Sequence, residues 1–261
     1  MDNSDQHSSL FNQSLAKGLE VLRSFNARRR SMTLAEIAAA SGISKSSAQR
    51  MVYTLEQLGY VGKQSRTRRY QLTARALELG FSYLDGHPLI EVANPFLAEL
   101  TRITGETSCL TEAVGNEMVY IARFVSAGFV PVHMPIGSRL PMYCTAAGRA
   151  WLSALPQSEA RSRLLEMDRV GYTVHTCTGV EAIVAQLSLV RQRGYAINAE
   201  ELFLGDMTLG APIVNAEGRP VAAVHLVAPT SRWTLEEAQA KLAPALLACS
   251  GTLCNLARHA G

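Results

Sequence analysis

Several features that mark other protein classes are missing from this 261-residue sequence. It has no run of about 18 apolar residues of the kind that forms a transmembrane helix. Its first residues, MDNSDQHSSLFNQS, are polar and lack the charged-then-apolar order of a secretion signal. We therefore expect a cytoplasmic protein with no membrane partner.

Cysteine is scarce, and its positions do not indicate a disulfide framework or a zinc site. The five cysteines are odd in number and show no Cys-x-x-Cys or Cys/His ligand spacing: Cys109, Cys144, Cys177, Cys249 and Cys254. The sequence also has no glycine-rich phosphate loop and no recurring set of acid, base and nucleophile. We expect reduced thiols, no metal, no cofactor and no enzyme activity.

The charges are few and unevenly distributed. Charged residues make up 18% of the chain and hydrophobic residues 48%, which is ordinary for a globular protein long enough for two domains. Residues 1–85 carry 12 Lys and Arg against 7 Asp and Glu, whereas the remaining residues carry 13 against 15. A surface that faces phosphate is therefore expected in the first third of the chain.

Residues 33–58, TLAEIAAASGISKSSAQRMVYTLEQL, have the pattern of a helix-turn-helix. Thr33 and Glu36 form a capping-box pattern that starts the first helix, and Gly42 ends it. Ser44 then caps the second helix. The inward stripe of this second helix is predicted to be Ala48, Met51, Val52, Leu55 and Leu58. A preceding helix over residues 13–26, with Leu15, Leu19, Leu22 and Phe25, completes a three-helix core.

The polar face of the second helix and the basic segment after it predict contacts with DNA. Residues 59–72, GYVGKQSRTRRYQL, have the pattern of a wing that braces on phosphates. The alternative is that the arginines here and at positions 28–30 are solvated charge. The turn glycine, polar helix and basic wing agree with one geometry, which favours double-stranded DNA as partner. The predicted DNA-binding residues are Thr33, Ser44, Lys45, Ser46, Ser47, Gln49, Arg50, Arg66, Arg68 and Arg69.

The rest of the chain predicts an α+β domain with an antiparallel sheet. A helical segment over 73–84 ends at Gly86-His87-Pro88, and a helix over 89–104 follows. Alternating patterns predict strands over 106–114, 117–125, 128–134, 195–198, 205–215 and 219–228. Helical patterns cover 145–154, 158–167, 180–192 and 234–256.

One segment of this domain, GSRLPMYCTAAGRAWLSAL at 137–155, has the features of a ligand-pocket wall. The amides of Ala146, Ala147 and Gly148 fall in the first turn of a helix, where free N–H groups and the helix dipole favour a carboxylate. The alternative is that Thr145 is a plain N-cap and that the small residues let the helix lie close to the sheet.

A resemblance to a known family is carried by GLEVLRSF, SKSSAQRMVYTLEQLGYV, YQL and, above all, the 137–155 segment. The chain resembles, nearly end to end, the isocitrate-lyase-regulator (IclR) family of bacterial transcription factors. The resemblance implies a winged-helix domain over 10–72, a linker helix over 73–87 and a GAF-like effector-binding domain over 88–261. It also implies homodimers or homotetramers that bind a palindromic operator. Such regulators control catabolic operons, as repressors or activators, in response to small organic or aromatic acids.

The resemblance also implies an effector site. The carboxylate is expected at the amides of Thr145-Ala146-Ala147-Gly148, with further contacts from positions matching Asn198, Thr208, His225 and Val227. Small-acid members of the family have an acidic residue, a cysteine and two hydroxyls at those four positions. This sequence departs at all of them, so a different effector is expected.

His225 shares a strand face with Ala223 and Val227, the face expected towards the pocket. It could pair with a carboxylate or phenol of the effector, or be a core histidine bonded to a carbonyl. Tyr143, His133 and Met134 could line an aromatic-accepting cavity or belong to the core, the latter favoured for Met134. We expect an aromatic or hydroxylated organic acid as effector.

Two other functions are compatible with the sequence. Cys144 lies before a helix N-terminus, a setting that lowers a thiol pKa, so a cysteine-dependent hydrolase fused to a DNA-binding domain is one alternative. The other is a DNA-binding oligomer whose second domain binds no ligand. Self-association is expected in either case, because one winged helix reads only a half-site.

Overall fold

The computed structural model describes residues 8–127 and 134–258. Contacts divide the chain into two compact units, Met1–Tyr83 and Leu84–Gly261. The fold class predicted from the sequence is confirmed: a helix-turn-helix unit precedes a mixed unit built on an antiparallel sheet.

The first unit is a winged helix-turn-helix. Three helices pack beside a small sheet of strand order β1-β3-β2. The elements are α1 (Gln13–Ser24), β1 (Ser31–Met32), α2 (Leu34–Ser41), α3 (Lys45–Gln57), β2 (Val61–Lys63) and β3 (Tyr70–Leu72). The strand β1 was not predicted; it pairs antiparallel with β3 through Ser31–Gln71 and Met32–Tyr70.

Local capping fixes the helix pair as predicted. The Thr33 hydroxyl accepts from the Glu36 amide, and the Glu36 carboxylate accepts from the Thr33 amide at 2.7 Å, which completes the capping box. Gly42 has the left-handed conformation, with φ of 66°, that ends α2. Ser44 caps α3 by accepting from the Ser47 amide at 3.2 Å.

The core of the first unit differs from the prediction at three leucines. The buried core includes Phe25, Val52 and Leu55, as predicted. It also includes Val21 and Ile37. Leu15 and Leu19, however, are 64% and 46% exposed, because they lie about 120° and about 160° around the helix from the buried Val21. Leu58 is 51% exposed because it is the C-cap residue, where the chain leaves α3.

The predicted helix over 73–84 is a short 3-10 turn at Ala74–Ala76 followed by α4 (Leu77–Asp85). The Thr73 hydroxyl caps the turn by accepting from the Arg75 amide at 3.2 Å. Among the described residues α4 buries no side chain.

The second unit alternates helices and antiparallel strands in an order close to the one predicted. Its elements are α5 (Pro88–Thr104), β4 (Thr107–Val114), β5 (Glu117–Phe124), β6 (Arg139–Pro141), α6 (Ala146–Ser153), α7 (Gln157–Glu166), α8 (Val180–Arg193), β7 (Ala196–Ala199), β8 (Met207–Val214), β9 (Pro220–Val227), α9 (Leu235–Lys241) and α10 (Ala243–Ala257). The short strand β6 was not predicted. The predicted strand over 128–134 lies outside the described residues except for Met134.

Six strands form one sheet in the order β6-β5-β4-β9-β8-β7, with every neighbouring pair antiparallel. One face packs on α5 and α10 around Leu97, Leu110, Leu226 and Leu246. The other face packs on α6, and α7 and α8 lie against that helix through residues such as Leu152. The helix α6 therefore lies between the sheet and solvent-facing helices, which places its N-terminus over the sheet.

The single helix predicted over 234–256 is two helices, α9 and α10, bent by 45°. Pro244 in the first turn of α10 has no N–H, and its ring blocks a straight continuation from the preceding turn. No single helix among residues 8–127 and 134–258 is long and apolar enough to cross a membrane; α9 and α10 reach that length and composition only as a bent pair.

Two glycines let α6 lie directly on its neighbours. A Cβ atom at Gly148 would lie 2.3 Å from Met142 Cα, and one at Gly210 would lie 2.7 Å from the Ala146 carbonyl carbon. Both distances are far inside van der Waals contact and involve backbone atoms that cannot move aside. The first turn of α6 can therefore reach the sheet only where both positions lack a side chain.

We predict that Gly148→Ala destabilises the second unit by about 3 kcal/mol, because the added methyl group forces α6 off the Met142 backbone. Chemical denaturation of the full chain measures the change. The matched control is Gly251→Ala in the exposed interior of α10, where a Cβ meets no atom within 4 Å. That control should be stabilised by about 0.5–1 kcal/mol because alanine favours a helix. Equal effects of the two substitutions would contradict the packing argument.

Candidate functional site

A cavity of about 530 Å³, including the part that opens to solvent, lies between the N-terminus of α6 and the sheet. Its walls come from all six strands of the sheet, the start of α6, the loop between β7 and β8, and Met134. The lining residues are Cys109, Tyr120, Arg123, Met134, Leu140, Thr145, Ala146, Ala147, Asn198, Leu202, Phe203, Asp206, Thr208, His225 and Val227.

Seven of the eight residues predicted to bind an effector meet in this cavity: Thr145, Ala146, Ala147, Asn198, Thr208, His225 and Val227. Tyr143 does not line it. Its side chain is 1% exposed, packs with α7 and α8, and donates its hydroxyl to the carbonyl of Val170. Met134, for which a core position was favoured, lines the cavity, and His133 lies outside the described residues.

The N-terminus of α6 offers two amides to the cavity. Thr145 is the N-cap, and its hydroxyl accepts from the Gly148 amide at 3.2 Å. The amides of Ala146 and Ala147 have no acceptor among the described residues, as expected for the first positions of a helix. The alternative reading is confirmed in its structural part, since Thr145 is an N-cap and the small residues let the helix lie close to the sheet. Binding of a carboxylate at the two free donors stays a prediction.

A buried ion pair fixes the position of this helix end. The Arg149 guanidinium binds the Glu201 carboxylate through two contacts, one of them 2.7 Å, and both side chains are at most 9% exposed. Arg149 also donates from Nε to the Tyr143 carbonyl at 2.8 Å. The cavity residue Asn198 joins the same network by donating to the Cys144 carbonyl and accepting from the Glu201 amide at 3.2 Å.

His225 and Tyr120 form a buried pair on the floor of the cavity. Tyr120 Oη lies 3.2 Å from His225 Nε2, and the rings meet edge to face with centroids 5.2 Å apart. Burial lowers the pKa of His225 to about 4 and raises the pKa of Tyr120 well above its usual value. At neutral pH the imidazole is therefore uncharged and the phenol keeps its proton.

The hydrogen bond defines the tautomer of His225. The Tyr120 hydroxyl has no acceptor among the described residues other than His225, so it donates to Nε2. The ring proton then resides on Nδ1, which is buried and has no partner in the described part of the chain. His225 is thus not bonded to a carbonyl of the core, and one donor remains unpaired at the cavity.

The sequence did not point to the two charged residues of the cavity. Arg123 and Asp206 both line it and are half-buried. Burial raises the pKa of Asp206 to about 6. Period-2 alternation from the cavity residue Tyr120 would have placed Ala122 on the cavity face. A register shift leaves Ile121 without a partner on β4, and Arg123 lies on that face instead.

Cys144 is not set up as a nucleophile. Its side chain is fully buried, and burial raises its pKa to about 12. The thiol therefore stays protonated at neutral pH and lacks the thiolate that attacks a substrate. The neighbouring charged groups are Arg149 and Glu201, which are bonded to each other.

A second candidate surface is the polar N-terminal half of α3. Ser44, Lys45, Ser46, Gln49 and Arg50 are exposed along it. The Ser44 hydroxyl is partly occupied, since it lies 3.0 Å from Ser47 Oγ and 3.1 Å from Ser46 Oγ. Thr33 is half-buried at the start of α2, with its side chain engaged in the capping box.

The three predicted wing arginines have different environments. Arg69 donates to Glu36 Oε2 at 2.7 Å and to the Ser31 carbonyl at 2.8 Å, so it ties the wing to α2 and β1. Arg66 and Arg68 are exposed at the tip between β2 and β3 and form no ion pair within the described residues. Arg68 has a φ of 55°, which belongs to the tight turn at the tip.

Comparison with protein families gives two matches that together span most of the chain. The model of the bacterial transcriptional regulator IclR C-terminal domain matches residues 81–255. The model of the IclR helix-turn-helix domain matches residues 14–65.

Individual relatives agree with these matches. The Pca regulon regulatory protein of Pseudomonas putida is 33% identical over 246 residues, which cover 94% of this chain and 84% of that protein. The p-hydroxybenzoate hydroxylase transcriptional activator of Acinetobacter baylyi is 31% identical and covers 84% of this chain and 82% of its own. A crystal structure from Rhodococcus sp. RHA1 superposes with a TM-score of 0.83 at 35% identity, over 96% of this chain and 100% of that one.

We predict that Glu201→Gln destabilises the protein by about 3–5 kcal/mol, because it leaves the Arg149 charge buried without a partner. The double variant Arg149→Met/Glu201→Gln should regain part of that loss, since no uncompensated charge remains. Urea denaturation of the two single variants and the double variant measures the coupling. If the losses of unfolding free energy in the two single variants add up in the double variant, Arg149 and Glu201 do not stabilise the fold as a pair. The exposed pair Arg102 and Glu99 is the control, for which Glu99→Gln should cost less than about 1 kcal/mol.

Proposed function

Because the chain belongs to the IclR family of bacterial transcriptional regulators, we propose that it senses an aromatic or hydroxylated organic acid in the cavity beneath α6. Binding of this effector changes the affinity of the winged helix for a palindromic operator next to catabolic genes. The observation that carries the proposal is the pair of free amides of Ala146 and Ala147 at the wall of an otherwise largely apolar cavity.

The chemistry of the cavity supports an acid of this kind. The free amides and the dipole of α6 favour a carboxylate at one end. Leu140, Leu202, Phe203 and Val227 provide apolar walls for a ring or hydrocarbon chain. Thr208 and His225 add hydrogen-bonding groups between them, which suits an effector with a further oxygen.

The names of two relatives point in the same direction. One is the regulator of a Pca regulon, and the other activates a p-hydroxybenzoate hydroxylase. p-Hydroxybenzoate is an aromatic acid with a hydroxyl group, which is the class that the cavity suits. We infer that this chain controls genes for related compounds.

Operator recognition is assigned to the exposed face of α3. Gln49 and Arg50 have donors for base edges or phosphates, and Ser46 and Lys45 face the same side. Since one winged helix reads a half-site, the working species is a homodimer or a homotetramer. Effector binding shifts an equilibrium between two arrangements of the subunits, with α4 as the connection between sensing and reading domains.

We predict that a hydroxylated aromatic acid, such as 4-hydroxybenzoate, binds the full-length protein and changes its affinity for the operator at least about fivefold. Thr208→Val should weaken effector binding about fivefold to tenfold, because it removes one hydroxyl from the cavity while keeping its shape. Isothermal titration calorimetry measures effector binding. Fluorescence anisotropy of an operator duplex measures the DNA response.

The matched control is Thr252→Val on α10, which is also half-buried but lies outside the cavity. It should leave effector affinity unchanged. The proposal would be refuted if acids bind without any change in operator affinity, or if only neutral ligands bind. Operator binding with no response to any small molecule would instead support a DNA-binding oligomer without an effector.

We predict that Arg66→Ala and Arg68→Ala weaken binding to operator and to unrelated duplex DNA by similar factors. Each should lower the slope of log affinity against log salt by about one, because a tip arginine neutralises one phosphate. Arg69→Ala should instead lower the melting temperature, since Arg69 is bonded to Glu36 and Ser31. Anisotropy titrations at several salt concentrations, with a melting curve for each variant, test this. An unchanged salt slope for both tip variants contradicts the assignment.

A further inference from the structure

The cavity contains a positive charge that no acidic side chain pairs with among residues 8–127 and 134–258. The Arg123 side chain lines the cavity, is half-buried, and forms no ion pair within the described residues. Its Nε atom is buried and has no hydrogen-bond acceptor there. Residues 128–133, which lie outside the described part, contain no Asp or Glu in their sequence.

The guanidinium of Arg123 interacts with an uncharged thiol on the adjacent strand. Cys109 lies opposite Arg123 in the β4–β5 register. Burial raises the pKa of the Cys109 thiol to about 12, against the opposing influence of the Arg123 charge, so the sulfur remains protonated. A guanidinium taken partly out of water without an anion is unfavourable, and an anionic ligand would remove that cost.

A second unpaired donor lies on the same row of the sheet, that is, among the residues that pair with one another across neighbouring strands. Cys109 is in register with Arg123 on one side and with His225 on the other. His225 is 2% exposed, and its Nδ1–H group has no partner in the described residues. Arg123 and His225 therefore both line the cavity, two strands apart on either side of Cys109, and each has a donor without an acceptor among the described residues.

The same row defines the distance from these donors to α6. His225 is in register with Gly210, the glycine on which Ala146 rests. From Gly210 to Arg123 the row crosses three strand spacings, roughly 14 Å between Cα atoms. The free amides of α6 lie above the Gly210 end of this row, and Arg123, which also lines the cavity, is at the other end. A small molecule that spans the gap meets donors at both ends.

We propose, on the basis of the function proposed above, that Arg123 is a specificity-determining residue that binds a second acidic group of the effector, assisted by the Nδ1–H group of His225. The effector is thus a diacid, with one carboxylate at the amides of Ala146 and Ala147 and the other at Arg123. Asp206 is the one acidic side chain among the lining residues, and it forms no ion pair with Arg123. Its negative charge opposes the second carboxylate and reduces the gain that Arg123 provides.

The test compares acids that differ only in the second carboxylate. Calorimetry on the full-length protein measures the affinities of benzoate and benzene-1,4-dicarboxylate, and of hexanoate and hexanedioate. In at least one pair the diacid should bind about tenfold to a hundredfold more tightly. Arg123→Gln should remove this preference while changing the affinity of the monoacid by less than about twofold, because the monoacid is held at α6.

Three further variants separate recognition from a structural role. Arg123→Lys keeps the charge and should keep most of the diacid preference. Asp206→Asn should increase the ratio of diacid to monoacid affinity, because it removes the opposing charge. Arg219→Gln, an exposed arginine paired with Glu159 outside the cavity, should change neither affinity. If Arg123→Gln does not fold, the other two variants carry the test. Loss of the diacid preference in Arg123→Lys, or an unchanged ratio of diacid to monoacid affinity in Asp206→Asn, overturns the proposal.

The outcomes distinguish this inference from the function on which it rests. If monoacids bind and change operator affinity but diacids have no advantage, the diacid proposal is wrong and the sensor function stands. A diacid preference that persists in Arg123→Gln also overturns the assignment to Arg123. If no acid of either kind binds and a neutral ligand does, both proposals fail.

Discussion

The buried ion pair between Arg149 and Glu201 holds together the parts of the second unit that surround the cavity. Arg149 belongs to α6, whereas Glu201 follows β7, so the pair connects the helix to the loop that supplies Leu202, Phe203 and Asp206. Two buried charges remain favourable only while they stay together. The N-terminal end of α6, Asn198 and this loop are therefore held in fixed positions relative to one another. The free amides of α6 are held over the sheet in the same way.

The features that could be predicted from the sequence are those that depend on interactions between residues close together in the chain. The caps at Thr33, Gly42 and Ser44 depend on neighbours within four residues, and the structure has them as predicted. The inward face of α1 depends on how three helices pack, and there Leu15 and Leu19 were assigned wrongly. Pro244 bends the last helix through its missing N–H, a local signal that a continuous hydrophobic pattern concealed.

The residues that line the cavity could also be predicted only in part from the sequence. Seven lining residues followed from the family resemblance and from alternation along β9. Arg123 and Asp206 were missed because their meeting depends on the strand order and on a register shift between β4 and β5, which a single sequence does not specify. Tyr143 was misplaced because the segment before α6 turns its side chain towards α7 and α8 instead. Long-range register, not local propensity, determines the polarity of this site.

The two edges of the six-stranded sheet are short. β6 has three residues and includes Pro141, which has no N–H to donate, and β7 has four residues. Such edges give another chain too few free backbone groups to add a strand. Among the described residues, extension of the sheet by a strand of another chain is therefore disfavoured at both edges. The same property protects a regulator with a large antiparallel sheet from edge-to-edge aggregation in the cell.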